Sequence, residues 1–289
     1  MDQLRWKVEN HIANSVAPTT RRAYNAALSS LNEFCVQHNI KDKYITSTLE
    51  LFITSLAEKG MQASSIRTIL SGIKHHCMSN SIDINLNDPR LSLLMKGIQR
   101  SCGQKTGRPK NAVRMTHLQK ILSATVQLFD AKIAVQVRAM FSLAFFAMLR
   151  PSELSYSSST PQHQLKRSSV SIKSNCVKLT FSSFKHSTDI AIVKIQRQSP
   201  EVCPWFFLSD YLRSSPTVNL NDPLFPSSTA DANNWLQRCL SHCGIKSKLT
   251  LHSFRRGGAT WYSDQGVTAA KLKAMGRWNS NAYLNYVKP

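Results

Sequence analysis

The sequence is poor in acidic residues, and this shortage makes the protein strongly basic. Its 16 aspartates and glutamates face 37 lysines and arginines, which gives a formal net charge of +21 and a pI near 10.0. The basic residues run from Arg5 to Lys288 and are not gathered in one tail. In a chain that is 42% hydrophobic and so able to build a core, such an excess indicates a polyanionic partner such as nucleic acid. The alternative is that the excess of positive charge only keeps the protein soluble and binds no partner.

Long apolar runs are also absent. The most apolar segment, residues 139–149, has eleven residues, whereas a helix needs about 20 to cross a bilayer. The N-terminus lacks the apolar core of a secretory signal peptide. We therefore expect a soluble intracellular protein with no membrane partner.

The seven cysteines form neither an even disulfide framework nor a Cys-x-x-Cys pair. Cys239, His242 and Cys243 lie close together on a predicted helix, but zinc needs four ligands and no matching second pair follows. The acids are scattered, whereas a two-metal nuclease needs a carboxylate cluster. We therefore predict no metal site and no cofactor, with thiols kept reduced inside the cell.

Apolar periodicity over the first hundred residues predicts a small bundle of four helices. The first begins at Pro18 with a threonine cap. The exposed helix faces are basic, although a solvated face without a partner would look similar. The residues that we predict to bind DNA on these faces are Arg21, Arg22, Arg67 and Lys74.

Residues 101–110 form the clearest linker, because glycine, proline and polar residues follow one another there without periodicity. They divide the chain into a helical DNA-binding domain, 1–100, and a second domain, 111–289. The basic residues of the linker, Lys105, Arg108 and Lys110, are predicted to contact DNA that passes between the two domains.

The second domain mixes helices with a small sheet. Helices are predicted at about 115–128 and 132–149, and again at about 203–213, 230–243, 253–265, 268–275 and 279–287. Segments 170–172, 177–181 and 190–195 alternate at period two, which predicts three antiparallel strands. The fold class is therefore mainly α with a small antiparallel β-sheet, an N-terminal helical bundle joined to a mixed α+β domain.

The last forty residues hold the side chains with the richest chemistry. His252 and Arg255 are three residues apart and share one face of a predicted helix. Trp278 follows with an indole N–H donor, and Tyr286 with a phenol. Such groups can hold a phosphate and attack it.

Two further basic residues lie upstream. Arg150 ends an apolar helix and is followed by Glu153, which we expect to orient the arginine. Lys185 lies in the predicted turn between the second and third strands. Arg256 adjoins Arg255 on another face of the helix, where a structural or phosphate-binding use is expected.

In their order and spacing, these residues resemble the catalytic set of the tyrosine recombinases, also called the phage-integrase family. The resemblance covers about residues 10–289, and the Gly-Arg-Trp ending resembles enzymes of DIRS-like and Crypton-type eukaryotic mobile elements. It implies a SAM-like core-binding domain at the N-terminus, followed by a catalytic domain. The implied activity is site-specific cleavage and rejoining of DNA without metal or ATP.

The resemblance also implies a role for each of six catalytic residues. Tyr286, eight residues past Trp278, would attack the scissile phosphate and form a 3′-phosphotyrosyl bond. Arg150 and Arg255 would hold its non-bridging oxygens. His252 would accept the proton of the phenol, and Trp278 would donate its indole N–H to the phosphate. Lys185 would protonate the departing 5′ oxygen.

The implied partner is double-stranded DNA, bound by a homo-tetramer on two synapsed sites. The protein would belong to a transposable element, with service to its host as the open alternative. It would reside in the nucleus if its source is a eukaryote, or otherwise in the cytoplasm with the nucleoid. Two other functions remain open. One is a catalytically inactive DNA-binding protein derived from such a recombinase, and the other is type IB topoisomerase activity.

Overall fold

The computed structural model describes residues 1–101, 111–156, 163–182 and 189–287. The chain divides into two compact units, Met1–Pro109 and Lys110–Pro289. Within the described ranges it is mainly helical with a three-stranded antiparallel sheet, which confirms the predicted fold class. Among the helices described, none combines the length and the apolarity that a bilayer-spanning segment requires.

The first unit contains one helix more than the pattern predicted. Its helices are α1 (Asp2–Ala13), α2 (Pro18–Gln37), α3 (Thr46–Glu58), α4 (Ala63–Ser79) and α5 (Pro89–Ser101). Helices α2 to α5 each bury one apolar face in a shared core, whereas α1 buries no residue. The threonine cap predicted for α2 is wrong, because the helix begins at Pro18 after Ala17 without a side-chain cap. Proline suits the first position of a helix, because the N–H that it lacks would have no partner within the helix there.

The second unit is larger and carries the sheet. Its helices are α6 (Met115–Leu128), α7 (Ala131–Phe146), α8 (Pro151–Leu154), α9 (Pro204–Ser214), α10 (Thr229–His242), α11 (Leu251–Asp264) and α12 (Ala269–Gly276). The strands are β1 (Val170–Ile172), β2 (Cys176–Phe181) and β3 (Ala191–Gln196), and 3₁₀ turns cover Arg167–Ser169 and Asn281–Asn285.

Helix α7 forms the centre of this unit. Its residues from Ala139 to Phe146 are buried on every side, which explains why the sequence shows a continuous apolar run there. The helix ends at Phe146, Ala147 forms its C-cap, and Met148 adopts a left-handed backbone with φ of 48°. This reversal brings the chain out of the core so that Arg150 lies at its edge, half-buried.

The three strands pair in the order β1-β2-β3, with both pairs antiparallel. Val177, Leu179 and Phe181 are buried on one face of β2, and the alternate residues of that strand are partly exposed. This alternation confirms the period-two prediction. The turn in which Lys185 was placed lies outside the described residues.

Two adjacent glycines let α11 approach its neighbours closely. A Cβ atom on Gly257 would lie 2.0 Å from the carbonyl oxygen of Val113, and one on Gly258 would lie 2.0 Å from that of Phe145. Real side chains never come this close, so any substitution must displace the backbone of α7 or of the segment before α6.

We therefore expect Gly258→Ala to lower the free energy of unfolding by about 3 kcal/mol or more, as overpacking against backbone does. The control is Gly97→Ala in α5, where nothing lies within 4 Å of the added atom and alanine should stabilise the helix by up to about 1 kcal/mol. Urea unfolding of the two variants measures both effects. A Gly258→Ala protein as stable as the wild type would show that the helices are not in close contact.

Candidate active site

Five of the six residues predicted as catalytic line one cleft of the second unit. The cleft has a volume of about 520 Å³. The five residues are Arg150 after α7, His252 and Arg255 on α11, Trp278 after α12, and Tyr286 after the last 3₁₀ turn. The fold thus brings together side chains that are far apart in sequence. The sixth, Lys185, lies outside the described residues.

Tyr286 and His252 are in hydrogen-bond contact. The phenol oxygen lies 3.0 Å from Nε2 of His252, and the two rings have centroids 5.4 Å apart. Thr260 donates a hydrogen bond of 3.1 Å to the backbone oxygen of Tyr286, which ties the segment to α11. A neutral imidazole with an unprotonated Nε2 accepts a hydrogen bond from a phenol at this distance, and can take the proton when the phenol attacks.

Arg255 lies beneath two aromatic rings and is only 1% exposed. Its guanidinium donates to the backbone oxygens of Met148 and Gly276. The guanidinium carbon is 4.2 Å from the ring centroid of Trp278 and 5.4 Å from that of Tyr286. Its Nε has no hydrogen-bond partner among the described residues.

The charge of Arg255 survives this burial. Desolvation, together with the nearby charges of Arg150 and Arg277, lowers the pKa of its guanidinium to about 9. The group is therefore still a cation at neutral pH. A fixed buried cation with an unpartnered N–H is suited to receive an anion, and a guanidinium presents its donors in a planar fork that matches phosphate oxygens.

Arg150 is held by Glu153, as the sequence led us to expect. The carboxylate accepts a hydrogen bond of 2.8 Å from the backbone N–H of Arg150 and one of 2.7 Å from its Nη1. The second terminal nitrogen of Arg150 donates to the backbone oxygen of Arg277 at 3.1 Å. The side chain of Arg150 remains 16% exposed, whereas Glu153 is 1% exposed.

Arg277 also lines this site, although the sequence predicted no role for it. Its side chain is fully buried and forms an ion pair of 2.7 Å with Glu153. An arginine just after the end of a helix is normally exposed to solvent, so the helix pattern gave no reason to expect that Arg277 is buried. Its neighbours in sequence, Gly276 and Trp278, are the signal that could have drawn attention to it.

Gly276 and Trp278 are fitted to each other. A Cβ atom on Gly276 would lie 1.7 Å from Cζ3 of Trp278, so the indole can fold back over this position because the residue is glycine. The indole then packs its face against the guanidinium of Arg255, a favourable cation–π contact. Tyr283 lies next to the indole, with ring centroids 6.5 Å apart.

The residues predicted to bind DNA differ in their exposure and in their hydrogen-bond partners. Arg22, Arg67 and Lys74 are exposed, and Arg67 donates to Gln99 at 2.7 Å. Arg21 is half-buried and donates to the backbone oxygen of Ala13 at the end of α1. The three linker residues, Lys105, Arg108 and Lys110, lie outside the described residues.

Arg256 turns towards the tyrosine segment. It is 9% exposed, donates to the backbone oxygen of Asn285, and places its guanidinium carbon 5.1 Å from the ring centroid of Tyr286. These contacts hold the segment that carries the phenol, and binding of DNA by Arg256 stays a prediction.

No protein-family model matches the sequence, and no curated protein does. Solved structures do resemble the chain. The XerH site-specific recombinase bound to a palindromic difH substrate, a post-cleavage complex, is 15% identical with a TM-score of 0.67, over 92% of this chain and 75% of its own.

Two integrases are similar to the chain over nearly its whole length. A variant of the Tn1549 transposon integrase in complex with transposon right end DNA is 14% identical with a TM-score of 0.63, over 99% of this chain and 94% of its own. A lambda integrase dimer bound to a COC′ core site is 13% identical with a TM-score of 0.63, over 98% of this chain and 75% of its own. Such low identities establish the architecture alone, and this chain has the fold of the tyrosine recombinases.

Proposed function

We propose that this protein cleaves and rejoins DNA at specific sites through a 3′-phosphotyrosyl intermediate on Tyr286. The observation that carries the proposal is the 3.0 Å contact between the phenol and His252, in a cleft that Arg150 and Arg255 also line. The net charge of +21 and the likeness to recombinases and integrases bound to DNA support DNA as the substrate.

In the proposed reaction, the phenol oxygen of Tyr286 bonds to phosphorus as its proton passes to Nε2 of His252. The bond from phosphorus to the 5′ oxygen breaks, and that oxygen takes a proton to leave as a hydroxyl. Lys185 is the proposed source of this proton. Arg150 and Arg255 stabilise the charge that develops on the non-bridging oxygens.

The second half of the reaction reverses the first. A 5′ hydroxyl from another duplex attacks the phosphotyrosine, restores a phosphodiester and releases the phenol. The intermediate retains the energy of the broken bond, so strand exchange of this kind requires no nucleotide hydrolysis. Opposite charges on arginine and phosphate supply the electrostatic stabilisation.

Phosphate binding requires a rearrangement of the cleft. A guanidinium that is 1% exposed cannot donate to a phosphate while the rings of Trp278 and Tyr286 lie against it. We therefore propose that DNA displaces the ring of Tyr286 from Arg255. The phenol would then approach the phosphorus from the side opposite the leaving oxygen.

Finer features of the proposal rest on the sequence. The Gly276-Arg277-Trp278 ending supports an origin in a DIRS-like or Crypton-type mobile element, and with it residence in the nucleus of a eukaryotic source. We also propose a homo-tetramer on two synapsed DNA sites as the active form, because exchange of strands between two duplexes uses four cleavages.

Trapping of a covalent adduct tests the function. The full chain is incubated with a pool of random-sequence duplexes, each nicked near its centre so that a short 5′-hydroxyl fragment diffuses away after cleavage. We expect DNA that stays attached to protein in denaturing detergent, including in the presence of a metal chelator. Sequencing the attached DNA would identify the target.

Two other outcomes would contradict the proposal. DNA binding that weakens with salt, with no adduct on any duplex, would indicate an inactive DNA-binding protein. An adduct accompanied by relaxation of supercoiled plasmid, with no exchange between two duplexes, would indicate a topoisomerase.

A further inference from the structure

Arg277 combines two features that are rare for one residue. Its side chain is a buried charge, fully enclosed in the second unit, and burying an ion is unfavourable unless it is paired. Its backbone is left-handed, with φ of 55° directly after α12, a conformation that usually falls to glycine. A residue that served to end the helix alone would need neither the charge nor the burial.

The guanidinium of Arg277 joins three parts of the unit. It forms the ion pair of 2.7 Å with Glu153. It donates hydrogen bonds of 2.8 Å to the backbone oxygen of Met275 and of 3.2 Å to those of Ala147 and Met148. The ring of Phe181 covers it, with 4.1 Å between the guanidinium carbon and the ring centroid. The end of α12 is thereby fixed to the end of α7.

Glu153 connects Arg277 to Arg150 through its two carboxylate oxygens. One oxygen of the carboxylate, Oε2, accepts from Arg277 Nη2 at 2.7 Å and from the backbone N–H of Arg150 at 2.8 Å. The other oxygen accepts from Arg150 Nη1 at 2.7 Å. Arg277 and the backbone N–H of Arg150 therefore share Oε2 and together hold the carboxylate in its orientation. The backbone oxygen of Arg277 accepts from the remaining terminal nitrogen of Arg150 at 3.1 Å.

From this geometry we propose that Arg277 is a positioning residue for Arg150: its guanidinium, acting through Glu153, fixes the arginine that faces the cleft. Arg277 does not itself contact the phosphate, because it is enclosed behind Glu153. The consequence for DNA cleavage rests on the function proposed above, whereas the effect on Arg150 is a property of the fold. Glu153 and Arg277 form a buried support on which Arg150 is held.

Replacement of Arg277 by glycine tests the role of the side chain separately from that of the left-handed backbone. Glycine adopts φ of 55° without strain, so Arg277→Gly keeps the turn that places Trp278 and removes the guanidinium. Arg277→Lys keeps the charge but loses the planar fork. The matched control is Ser81→Gly, an exposed residue of the first unit whose φ is also 55°.

We expect adduct formation to slow by about 100-fold in Arg277→Gly, as for a misplaced catalytic group, with Arg277→Lys similarly impaired and Ser81→Gly unaffected. DNA affinity should change little. In the background of Arg150→Ala, the glycine substitution should cause no further loss, because the residue that it positions is already gone. An Arg277→Gly protein that cleaves at the wild-type rate, or losses that multiply in the double variant, would overturn the proposal.

A second readout does not depend on DNA cleavage. In ¹⁵N spectra of arginine side chains, the two terminal nitrogens of Arg150 should give separate signals in the wild type, because hydrogen bonds to both slow the rotation of the guanidinium. They should merge in Arg277→Gly and Arg277→Lys and stay separate in Ser81→Gly. Unchanged signals in the two Arg277 variants would overturn the positioning role. Failure of the wild type to form an adduct would instead contradict the proposed function.

Discussion

Replacement of Tyr286 by phenylalanine is expected to abolish the covalent protein–DNA adduct and to leave DNA affinity nearly unchanged. The variant loses the oxygen that lies 3.0 Å from His252, which is the proposed nucleophile. It keeps the ring that packs against Trp278, with centroids 5.1 Å apart, so the cleft should retain its shape. Detergent-resistant attachment of labelled DNA measures the first effect, and titration of intact duplex measures the second.

The control for this variant lies in the same segment. Tyr283 has a phenol one turn earlier and packs beside Trp278, and we expect Tyr283→Phe to form the adduct at close to the wild-type rate. If Tyr286→Phe still becomes attached to DNA, the nucleophile has been assigned wrongly. If both variants lose attachment equally, the loss reflects damage to the segment and cannot be ascribed to one oxygen.

The parts of the fold that the sequence predicts are those with a strong local pattern. The apolar run of α7 and the alternation of β2 both reflect burial, and the structure confirms them. Helix α1 escaped prediction because its apolar residues Leu4, Trp6 and Val8 are all exposed, so no stripe marks a buried face. Helix propensity without burial leaves little trace in the pattern of a sequence.

The last segment shows a different limit. A helix was predicted over residues 279–287, but the structure has a 3₁₀ turn over Asn281–Asn285. The backbone oxygens of Asn285 and Tyr286 accept hydrogen bonds from Arg256 and Thr260 on α11. These tertiary contacts replace the helical ones, and a local pattern cannot reveal them.

Within the site, order and spacing along the chain were enough to select five residues that share a cleft and to expect Glu153 beside Arg150, but not to reveal Arg277 behind them. The ion pair between Glu153 and Arg277 joins residues 124 positions apart, and it depends on a left-handed turn that sequence rules assign to glycine. Periodicity likewise shows which helix face is exposed, but not that the side chain of Arg21 turns back to the end of α1.

Glu153→Gln is expected to lower the free energy of unfolding by about 3–5 kcal/mol near pH 7, as when one member of a buried ion pair is removed. Burial alone would raise the pKa of the Glu153 carboxyl, but the charges of Arg277, Arg150 and Arg255 outweigh it and lower the pKa from 4.5 to about 2. A carboxyl whose pKa is lower in the folded state contributes stability above its unfolded pKa and loses it as the pH falls. The difference in the free energy of unfolding between wild type and variant should therefore be largest above pH 4.5 and shrink as the pH falls towards 2.

Urea unfolding at several pH values measures this difference, and tryptophan fluorescence reports the correct unit because four of the five tryptophans lie after residue 200. The matched control is Glu153→Gln combined with Arg277→Met, in which the buried guanidinium of Arg277 is no longer left facing an uncharged partner. This double variant should recover part of the lost stability, since apolar replacement of a whole buried pair is often neutral. A wild-type advantage that is independent of pH between 2 and 4.5 would mean that Glu153 is not ionised in the fold. A double variant less stable than the sum of the single losses would mean that the two residues are not a pair.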